Sequence, residues 1–321
     1  MTDRLPLEEV PEWFFQVYET ESVDLRDERP WDVDRPLAVR AAITGAFFSR
    51  TNNPTQPFLP EEIAEEATDA VAAGACGVHI HVRNAQGIPV GKREYYERAI
   101  NPVLEKYGDG VVVDGCTVFK TIYKAQEVLD FGLFETSPVN TTACIIGNSI
   151  LAIPPRYQRA HAELMLDRGV KPQIAVYTNG DIDSAVRYLI EPGLLEPPFY
   201  WILLPGLPGC IPTPDPLTAA QNLTTAVQQI RSVSPGDSVI EVCAAGRGSS
   251  HLTALAMVLG VESVRVGKED TIYRYPHRDD LVESNAQVTA DAVKMATALG
   301  REIATAAQFR DMLGIETPGR T

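Results

Sequence analysis

From residue 37 onward, short apolar runs alternate with segments whose apolar positions recur every three or four residues. We predict strands from the apolar runs at 37–46, 76–82, 110–116, 134–140, 171–177, 199–204, 238–243 and 263–267. We predict helices from the amphipathic segments near 60–74, 92–106, 121–131, 155–169, 181–190, 216–232, 250–259, 284–299 and 305–313. Apolar strands that alternate with helices are typical of a parallel sheet covered on both sides. Eight consecutive β/α units predict an α/β protein of the (β/α)8 TIM-barrel class.

The chain divides into two parts by composition. Residues 1–36 are rich in acidic residues and proline but contain the aromatic cluster Trp13-Phe14-Phe15, so we expect an N-terminal extension or arm with a short helix. Residues 37–321 contain the predicted barrel catalytic domain, with the helix at 305–313 as a C-terminal addition. A glycine-rich dinucleotide fingerprint does not follow the first strand, which argues against a dinucleotide-binding fold.

Composition narrows the possible partners. The chain has 321 residues, 45% of them hydrophobic, and a formal net charge of -15, so nucleic acid and anionic membranes are poor partners. The N-terminus lacks the apolar core of a signal peptide, and the apolar runs are too short to cross a bilayer. Five scattered cysteines without a CxxC pair fit reduced thiols. We therefore expect a cytoplasmic protein that binds small molecules.

Two histidines interrupt the second predicted strand. His79 and His81 are two residues apart, so their side chains point to the same face. Two imidazoles that converge in this way form a natural half of a metal site. The alternative is a pair of core histidines with separate hydrogen-bond partners.

The eighth predicted strand ends in acidic residues. Catalytic groups of TIM barrels lie at the carboxyl ends of the strands, so Glu269 is expected to reach the histidine pair from a nearby strand. Two imidazoles and one carboxylate with open positions form a set typical of catalytic zinc, although it also suits ferrous iron. Arg265 is expected in the barrel mouth, either paired with Asp270 or bound to a substrate carboxylate. An acidic helix cap and a purely structural Arg–Asp pair are the alternatives.

Other strand ends carry weaker signals. The turn at Gly246-Arg247 suits a phosphate group after the seventh strand, or is simply a tight loop. Cys116 and Asn140 end the third and fourth strands. A pocket-lining role for the Cys116 thiol is favoured over a nucleophilic one, because the sequence identifies no base beside it. His161 is predicted on the surface of a helix, and His251 and His277 are left undecided.

The chain resembles the beta-keto acid cleavage enzyme family. The resemblance rests on blocks at 41–46, 65–75, 79–83, 245–247, 265–270 and 283–287, which occur in order along nearly the whole barrel. The blocks His-Ile-His-Val-Arg at 79–83 and Arg-Val-Gly-Lys-Glu-Asp at 265–270 are the most specific. Residues 1–36 lie outside the resemblance.

The resemblance implies a zinc-bearing barrel that assembles as a tetramer. It implies condensation of a β-keto acid with acetyl-CoA, followed by release of acetoacetate and a new acyl-CoA. The family's metal ligands fall on His79, His81 and Glu269. Its catalytic acid/base falls on Asp270, held by Arg265, and we expect that arginine to lower the pKa of Asp270.

The chain differs from the family at positions that the resemblance associates with substrate binding. Phe47 stands where the family has a glutamate, and Cys116 stands where it has a substrate-binding serine. Pro138 aligns with a threonine, with Ser137 and Asn140 close by as candidate substrate-binding residues. The CoA phosphates are expected at Gly246 and Arg247. Two other functions stay open: a zinc-dependent hydrolase or aldolase that acts without CoA, and a non-catalytic protein that keeps its metal for stability.

Overall fold

Parallel strands close into a barrel at the centre of the molecule. The computed structural model describes residues 28–33, 35–234 and 238–320. The barrel strands are β1 (Ala38–Ala42), β2 (Gly77–Ile80), β3 (Val112–Gly115), β4 (Thr136–Asn140), β7 (Lys171–Val176), β8 (Phe199–Leu203), β9 (Ser238–Val242) and β10 (Ser263–Val266). They pair in the order β1-β10-β9-β8-β7-β4-β3-β2, so β1 closes the barrel on β2. The predicted (β/α)8 barrel is confirmed.

Helices follow the barrel strands and cover the outside of the barrel. They are α1 (Pro60–Ala72), α2 (Arg93–Tyr107), α3 (Ile122–Leu129), α4 (Pro155–Leu166), α5 (Asn179–Ala185), α6 (Pro216–Val233), α7 (Ser249–Val258), α8 (Asn285–Ala298) and α9 (Ala306–Leu313). The predicted helix at 181–190 is α5 continued by a π-helical turn at Val186–Ile190. Among the described residues, none of the helices combines the length and the apolar character needed to span a bilayer.

Two antiparallel strands that the sequence analysis missed follow β4. They are β5 (Ala143–Ile146) and β6 (Ser149–Ala152), joined by a two-residue turn at Gly147. Their side chains are largely exposed, so this hairpin lacks the buried apolar run by which the barrel strands were recognised. The hairpin belongs to the loop between β4 and α4, at the carboxyl ends of the barrel strands.

Polar side chains fill the middle of the barrel. Arg40, Asp114, Gln173 and Glu241 come from alternate barrel strands and are fully buried. Arg40 forms ion pairs with Asp114 at 2.6 Å and with Glu241 at 3.0 Å, and Gln173 Nε2 donates to Glu241 Oε1 at 3.2 Å. This interior layer therefore places charge directly beneath the carboxyl ends of the strands.

The amino ends of the strands are closed by the last helix. Phe309 and Leu313 of α9 are buried in one cluster with Ala38, Val112 and Tyr200, which lie near the starts of their strands. At the opposite end, the described residues surround a cavity. Most of the extension predicted at 1–36 falls outside the described residues.

Candidate metal centre and active-site cavity

Three potential metal ligands converge at the carboxyl end of the barrel. One nitrogen each of His79 and His81 and one carboxylate oxygen of Glu269 all lie within 4.8 Å of one another. Nε2 of each histidine is 3.4 Å from Glu269 Oε1. Glu269 Oε2 is buried and has no hydrogen-bond partner. A buried carboxylate oxygen without a protein partner is expected at a site that binds a cation. The donor set and this orphaned oxygen fit a divalent metal.

Charge in this cluster favours a cation between the rings. Burial opposes protonation of His79, but Glu269 and Asp114 outweigh burial and raise its pKa to about 9. Burial also lowers the pKa of His81, but the charge of Glu269 outweighs burial and raises this pKa to about 10. The two histidines in turn hold the pKa of the Glu269 carboxyl well below its usual range, against the effect of burial. The acidic neighbours therefore favour positive charge on this cluster, and a metal ion would bind by displacing protons from the imidazoles.

Two glycines allow Glu269 to approach β1. A Cβ atom on Gly45, whose φ is +60°, would lie 2.3 Å from Glu269 Cγ. A Cβ atom on Gly267, whose φ is +145°, would lie 2.1 Å from the carbonyl oxygen of Ala42. The backbone of Glu269 then donates to that same Ala42 oxygen at 3.2 Å. Glycine is needed at both positions because any side chain would push the carboxylate away from the histidines.

Arg83 fixes the loop that contains Gly45. Its guanidinium donates to the carbonyl oxygens of Gly45 at 2.7 Å, Phe48 at 2.7 Å and Thr44 at 3.0 Å. Arg83 is almost completely buried, so these bonds replace its hydration. Arg83, the last residue of the His-Ile-His-Val-Arg block, therefore holds the backbone of this loop in place and does not bind a substrate group.

Lys268 and its partners hold the loop after β10. The ammonium of Lys268, fully buried, forms an ion pair with Glu66 at 2.5 Å and donates to Thr55 O at 2.8 Å. Asn285 accepts from the Lys268 backbone at 2.9 Å and donates from its backbone to Glu66 Oε2 at 2.7 Å. Residues from three separate sequence blocks therefore meet directly behind Glu269.

Arg265 contacts both acidic residues that follow its strand. Its guanidinium donates to the two carboxylate oxygens of Asp270 at 2.7 and 3.2 Å, and to Glu269 Oε1 at 3.3 Å. The expectation that Asp270 has a lowered pKa is wrong. Burial raises the pKa of this carboxyl, the charge of Glu269 adds to that effect, and Arg265 only partly offsets them.

A cavity of about 420 Å³ opens above these residues. Its lining includes His79, His81, Arg265 and Glu269 on one side. Ile146, Ser149, Ile150 and Leu151 of the β5–β6 hairpin also line it, and the sequence analysis identified none of these four. The pattern of apolar and polar residues gives no signal that the loop between β4 and α4 forms a hairpin and folds over the end of the barrel.

Cys116 and Asn140 both line this cavity. The thiol of Cys116 hydrogen-bonds to the imidazole of His81, which lowers the pKa of the thiol although burial opposes the shift. The sequence analysis did not anticipate this neighbour, because His81 follows β2 and Cys116 follows β3, two strands that pair only in the folded barrel. Asn140 is buried, and its Oδ1 has no partner. Its amide is therefore free to bind a polar group in the cavity.

Ser137 and His161 lie on the other side of the β4 wall. Ser137 is not among the residues that line the cavity, because it shares the outward face of β4 with Val139. Ser137 donates to Gly115 O at 2.6 Å and contacts Thr117, whose Oγ1 is 3.0 Å from His161 Nε2. The prediction of a surface His161 is wrong: α4 turns this ring toward the barrel, and it is buried.

Gly246 and Arg247 do not line the cavity that holds the metal donors, although the Gly246 backbone donates to Asp270 O at 2.8 Å. Arg247 pairs with Asp279 at 2.6 Å and stacks on Tyr273, with 3.6 Å from its guanidinium carbon to the ring centroid. Ser249 and Ser250, which follow this turn, line a second cavity of about 270 Å³ together with Arg274 and Lys294. The same cavity is also lined by Asp291, which pairs with Arg274 at 2.8 Å, and by apolar side chains. The turn therefore borders a cavity of mixed polar and apolar character.

Fold and site together define an enzyme of the TIM-barrel class, with its chemistry at the carboxyl ends of the strands. The chain belongs to the beta-keto acid cleavage enzyme family, whose model matches residues 36–315. Proteins of this family cleave β-keto acids, so this chain is a carbon–carbon bond-cleaving enzyme.

Curated relatives agree with this assignment. The chain is 31% identical over 283 residues to the 3-keto-5-aminohexanoate cleavage enzyme of Fusobacterium nucleatum, covering 87% of this chain and 98% of that protein. It is 26% identical over 298 residues to the 3-dehydrocarnitine:acetyl-CoA trimethylamine transferase of Rhizobium meliloti, with 85% and 95% covered. Among solved structures, ObcA bound to oxaloacetate is similar in fold, with a TM-score of 0.69 at 19% identity over 82% of this chain and 68% of that one.

Proposed function

We propose that this protein is a zinc-dependent enzyme that exchanges acyl groups between a β-keto acid and acetyl-CoA. In the balanced reaction, R–CO–CH2–COO⁻ and acetyl-CoA give acetoacetate and R–CO–CoA. The observation that carries the proposal is the convergence of His79, His81 and Glu269 beside the Arg265–Asp270 pair at one end of the cavity. The reaction names of the Rhizobium meliloti relative and of the 3-oxoadipate:acetyl-CoA acetyltransferase of Cupriavidus necator support the use of acetyl-CoA.

His79, His81 and Glu269 would hold the metal. Imidazole and carboxylate donors with room for substrate suit zinc, and a bound zinc ion polarises the keto oxygen of the substrate. Asp114 accepts a hydrogen bond from His79 Nδ1 at 2.7 Å, which leaves Nε2 as the nitrogen that faces Glu269. This hydrogen bond therefore supports Nε2 as the nitrogen through which His79 would bind the metal.

Asp270 is the proposed proton carrier. Its carboxylate takes a proton from the carbon between the keto and carboxyl groups, and returns a proton when the carbon–carbon bond breaks. Arg265 orients the carboxylate through two hydrogen bonds. Burial and the neighbouring Glu269 keep Asp270 basic enough for this work even beside a guanidinium.

The substrate carboxylate is proposed to contact Asn140 and Cys116, which lie at the ends of β4 and β3. Asn140 lines the cavity, and its Nδ2 can donate to a carboxylate. Cys116 lies next to His81. Gly246 and Arg247 are proposed to meet the phosphates of CoA, because the adjoining cavity presents Arg274, Lys294 and two serine hydroxyls. Replacement of Arg247 by Ala is expected to raise the KM for acetyl-CoA about tenfold and to leave kcat nearly unchanged.

The test combines metal analysis with a coupled assay. His79→Ala is expected to lose its zinc, and Asp270→Asn is expected to keep zinc while losing 10²- to 10⁴-fold in the exchange rate, roughly the contribution of a general base. Asp183→Asn, at an exposed carboxylate on α5, is the matched control and should keep both properties. Full zinc in His79→Ala, or full activity in Asp270→Asn, would refute the respective role.

The same assay separates exchange from simpler chemistry. With the β-keto acid present and acetyl-CoA omitted, the proposed reaction predicts no acetoacetate and no free acid. Turnover without acetyl-CoA would replace this proposal by a hydrolase or aldolase. We further propose that the protein is cytoplasmic and assembles as a homotetramer. Light scattering on the purified protein would test the tetramer.

A further inference from the structure

We infer that the β-keto acid accepted here carries an uncharged hydrocarbon side chain. The inference rests on the proposed function, since it concerns the group R of that reaction. It comes from the distribution of charge around the cavity, described above, rather than from the metal donors themselves.

Charge is confined to one side of the cavity. Among the described residues that line it, the Asp, Glu, Lys, Arg and His side chains are His79, His81, Arg265 and Glu269. Each of these is already engaged: Glu269 faces both imidazoles, and Arg265 spans Glu269 and Asp270. None of the four is left to pair with a charge on the far end of a substrate.

The remaining wall is uncharged and mostly hydrocarbon. Six of its side chains are Phe47, Val90, Phe119, Ile146, Ile150 and Leu151. They come from four separate segments, namely the loops after β1, β2 and β3 and the β5–β6 hairpin. The uncharged polar residues Cys116 and Asn140 lie at strand ends, where the keto acid's carboxylate is proposed to bind, and Gln173 lies within β7. Ser149 adds one hydroxyl to the hairpin. The outer wall is therefore uncharged and mainly apolar.

A charged side chain in this wall would lose hydration and find no counter-charge. Burial of an unpaired ammonium or carboxylate is strongly unfavourable, whereas each buried methylene favours binding by roughly fourfold. The cavity volume of about 420 Å³ is sufficient for a keto acid with a branched or linear alkyl group. The wall therefore selects by hydrophobicity and rejects charge.

Three pairs of β-keto acids of nearly equal shape test this inference. The charged members are 3-keto-5-aminohexanoate, 3-dehydrocarnitine and 3-oxoadipate, which the names of curated relatives contain. The neutral members are 3-oxo-5-methylhexanoate, 5,5-dimethyl-3-oxohexanoate and 6-methyl-3-oxoheptanoate. Each replaces an ammonium, a quaternary ammonium or a carboxylate by carbon. Binding to the zinc-loaded enzyme is measured by calorimetry, and turnover with acetyl-CoA is measured separately.

The neutral member of every pair is expected to bind about tenfold or more tightly. Equal or tighter binding of the charged members, or no binding by any of the six acids, would overturn the inference. Tighter binding of the neutral members without any acyl-CoA product would uphold it and overturn the proposed exchange reaction. The two failures are therefore distinguishable.

Variants at Phe47 test the wall directly. Phe47 is about half exposed, at 51%, so substitutions there are tolerated by the fold. Phe47→Asp should weaken the discrimination against the two cationic acids, and Phe47→Lys should weaken the discrimination against 3-oxoadipate. Phe47→Leu, which changes size without charge, should preserve all three preferences. Identical selectivity in the Asp and Lys variants would contradict contact between this wall and the substrate side chain.

Discussion

Asp114 Oδ2 lies 2.7 Å from His79 Nδ1, and the two residues are register partners on adjacent strands β2 and β3. The same oxygen is 2.6 Å from Arg40 Nη2. Asp114 therefore connects the candidate metal centre to the charged layer in the middle of the barrel. His79 and Arg40 together hold the pKa of Asp114 well below its usual range, although burial acts in the opposite direction.

Asp114→Asn should weaken metal binding without removing a ligand. Loss of the carboxylate makes His79 a poorer donor and frees its ring to rotate, so the zinc affinity should fall about 10- to 100-fold. Competition with a chromogenic chelator measures this affinity. Asp130→Asn, at an exposed carboxylate, serves as the control. An unchanged affinity in Asp114→Asn would mean that the contact is purely structural.

Gly45→Ala should disturb the metal centre more than the fold. The new methyl group would meet Glu269 Cγ at 2.3 Å, so the carboxylate must move. Gly169→Ala is the matched control, because its φ of +67° is similar but nothing lies within 4 Å of an added Cβ. Both variants should lose about 1 kcal/mol of stability from the left-handed backbone. Only Gly45→Ala should lose zinc, as measured by elemental analysis, and equal zinc contents would refute the steric argument.

His161 should make stability depend on pH. Burial lowers its pKa to about 4, whereas an unfolded histidine titrates near 6.5. Below about pH 6.5 the unfolded chain gains a proton that the folded chain does not, so this contribution to stability is complete above that pH and is lost as the pH falls toward 4. The loss amounts to roughly 3 kcal/mol.

Urea unfolding of His161→Gln at several pH values checks this effect. The difference in unfolding free energy between the wild type and this variant should change with pH between about 6.5 and 4. His251→Gln, at an exposed histidine, should follow the wild-type curve. A pH-independent difference for His161→Gln would show that His161 is not the group responsible.

Glu66→Gln should destabilise the protein by about 2–4 kcal/mol. It leaves the Lys268 ammonium buried with its ion-pair partner removed, while Glu66 itself is partly exposed. The exposed pair Arg93–Glu97 provides the contrast, and Glu97→Gln should change stability by less than about 0.5 kcal/mol. Chemical denaturation measures both values. Equal effects would show that burial does not set the strength of the Lys268–Glu66 pair.

The barrel and its donors could be anticipated because their signals are local and periodic. Apolar runs alternate with amphipathic helices, and His79 and His81 share a face by the two-residue period of a strand. Their closeness to Glu269 also follows from the order of strands in a closed barrel. Their role as ligands stays a prediction.

Other parts of the site have no such signal. The contact of Asp114 with His79 depends on strand register, and the hairpin at 143–152 depends on how a loop folds back. His161 looked like a surface residue because a single histidine in a helix does not reveal which face is buried. Whether the pKa of Asp270 is raised or lowered depends on the balance between burial and the charge of Arg265. Only the three-dimensional arrangement defines this balance.

The β5–β6 hairpin is built into a loop rather than into the barrel wall. Insertions and exchanges in such a loop leave the strand register and the ligand geometry intact. Selectivity toward the acyl chain can therefore diverge between relatives while the reaction itself is retained. For engineering, residues 143–152 form a segment through which new keto acids can be recruited while the proposed catalytic base Asp270 is left unaltered.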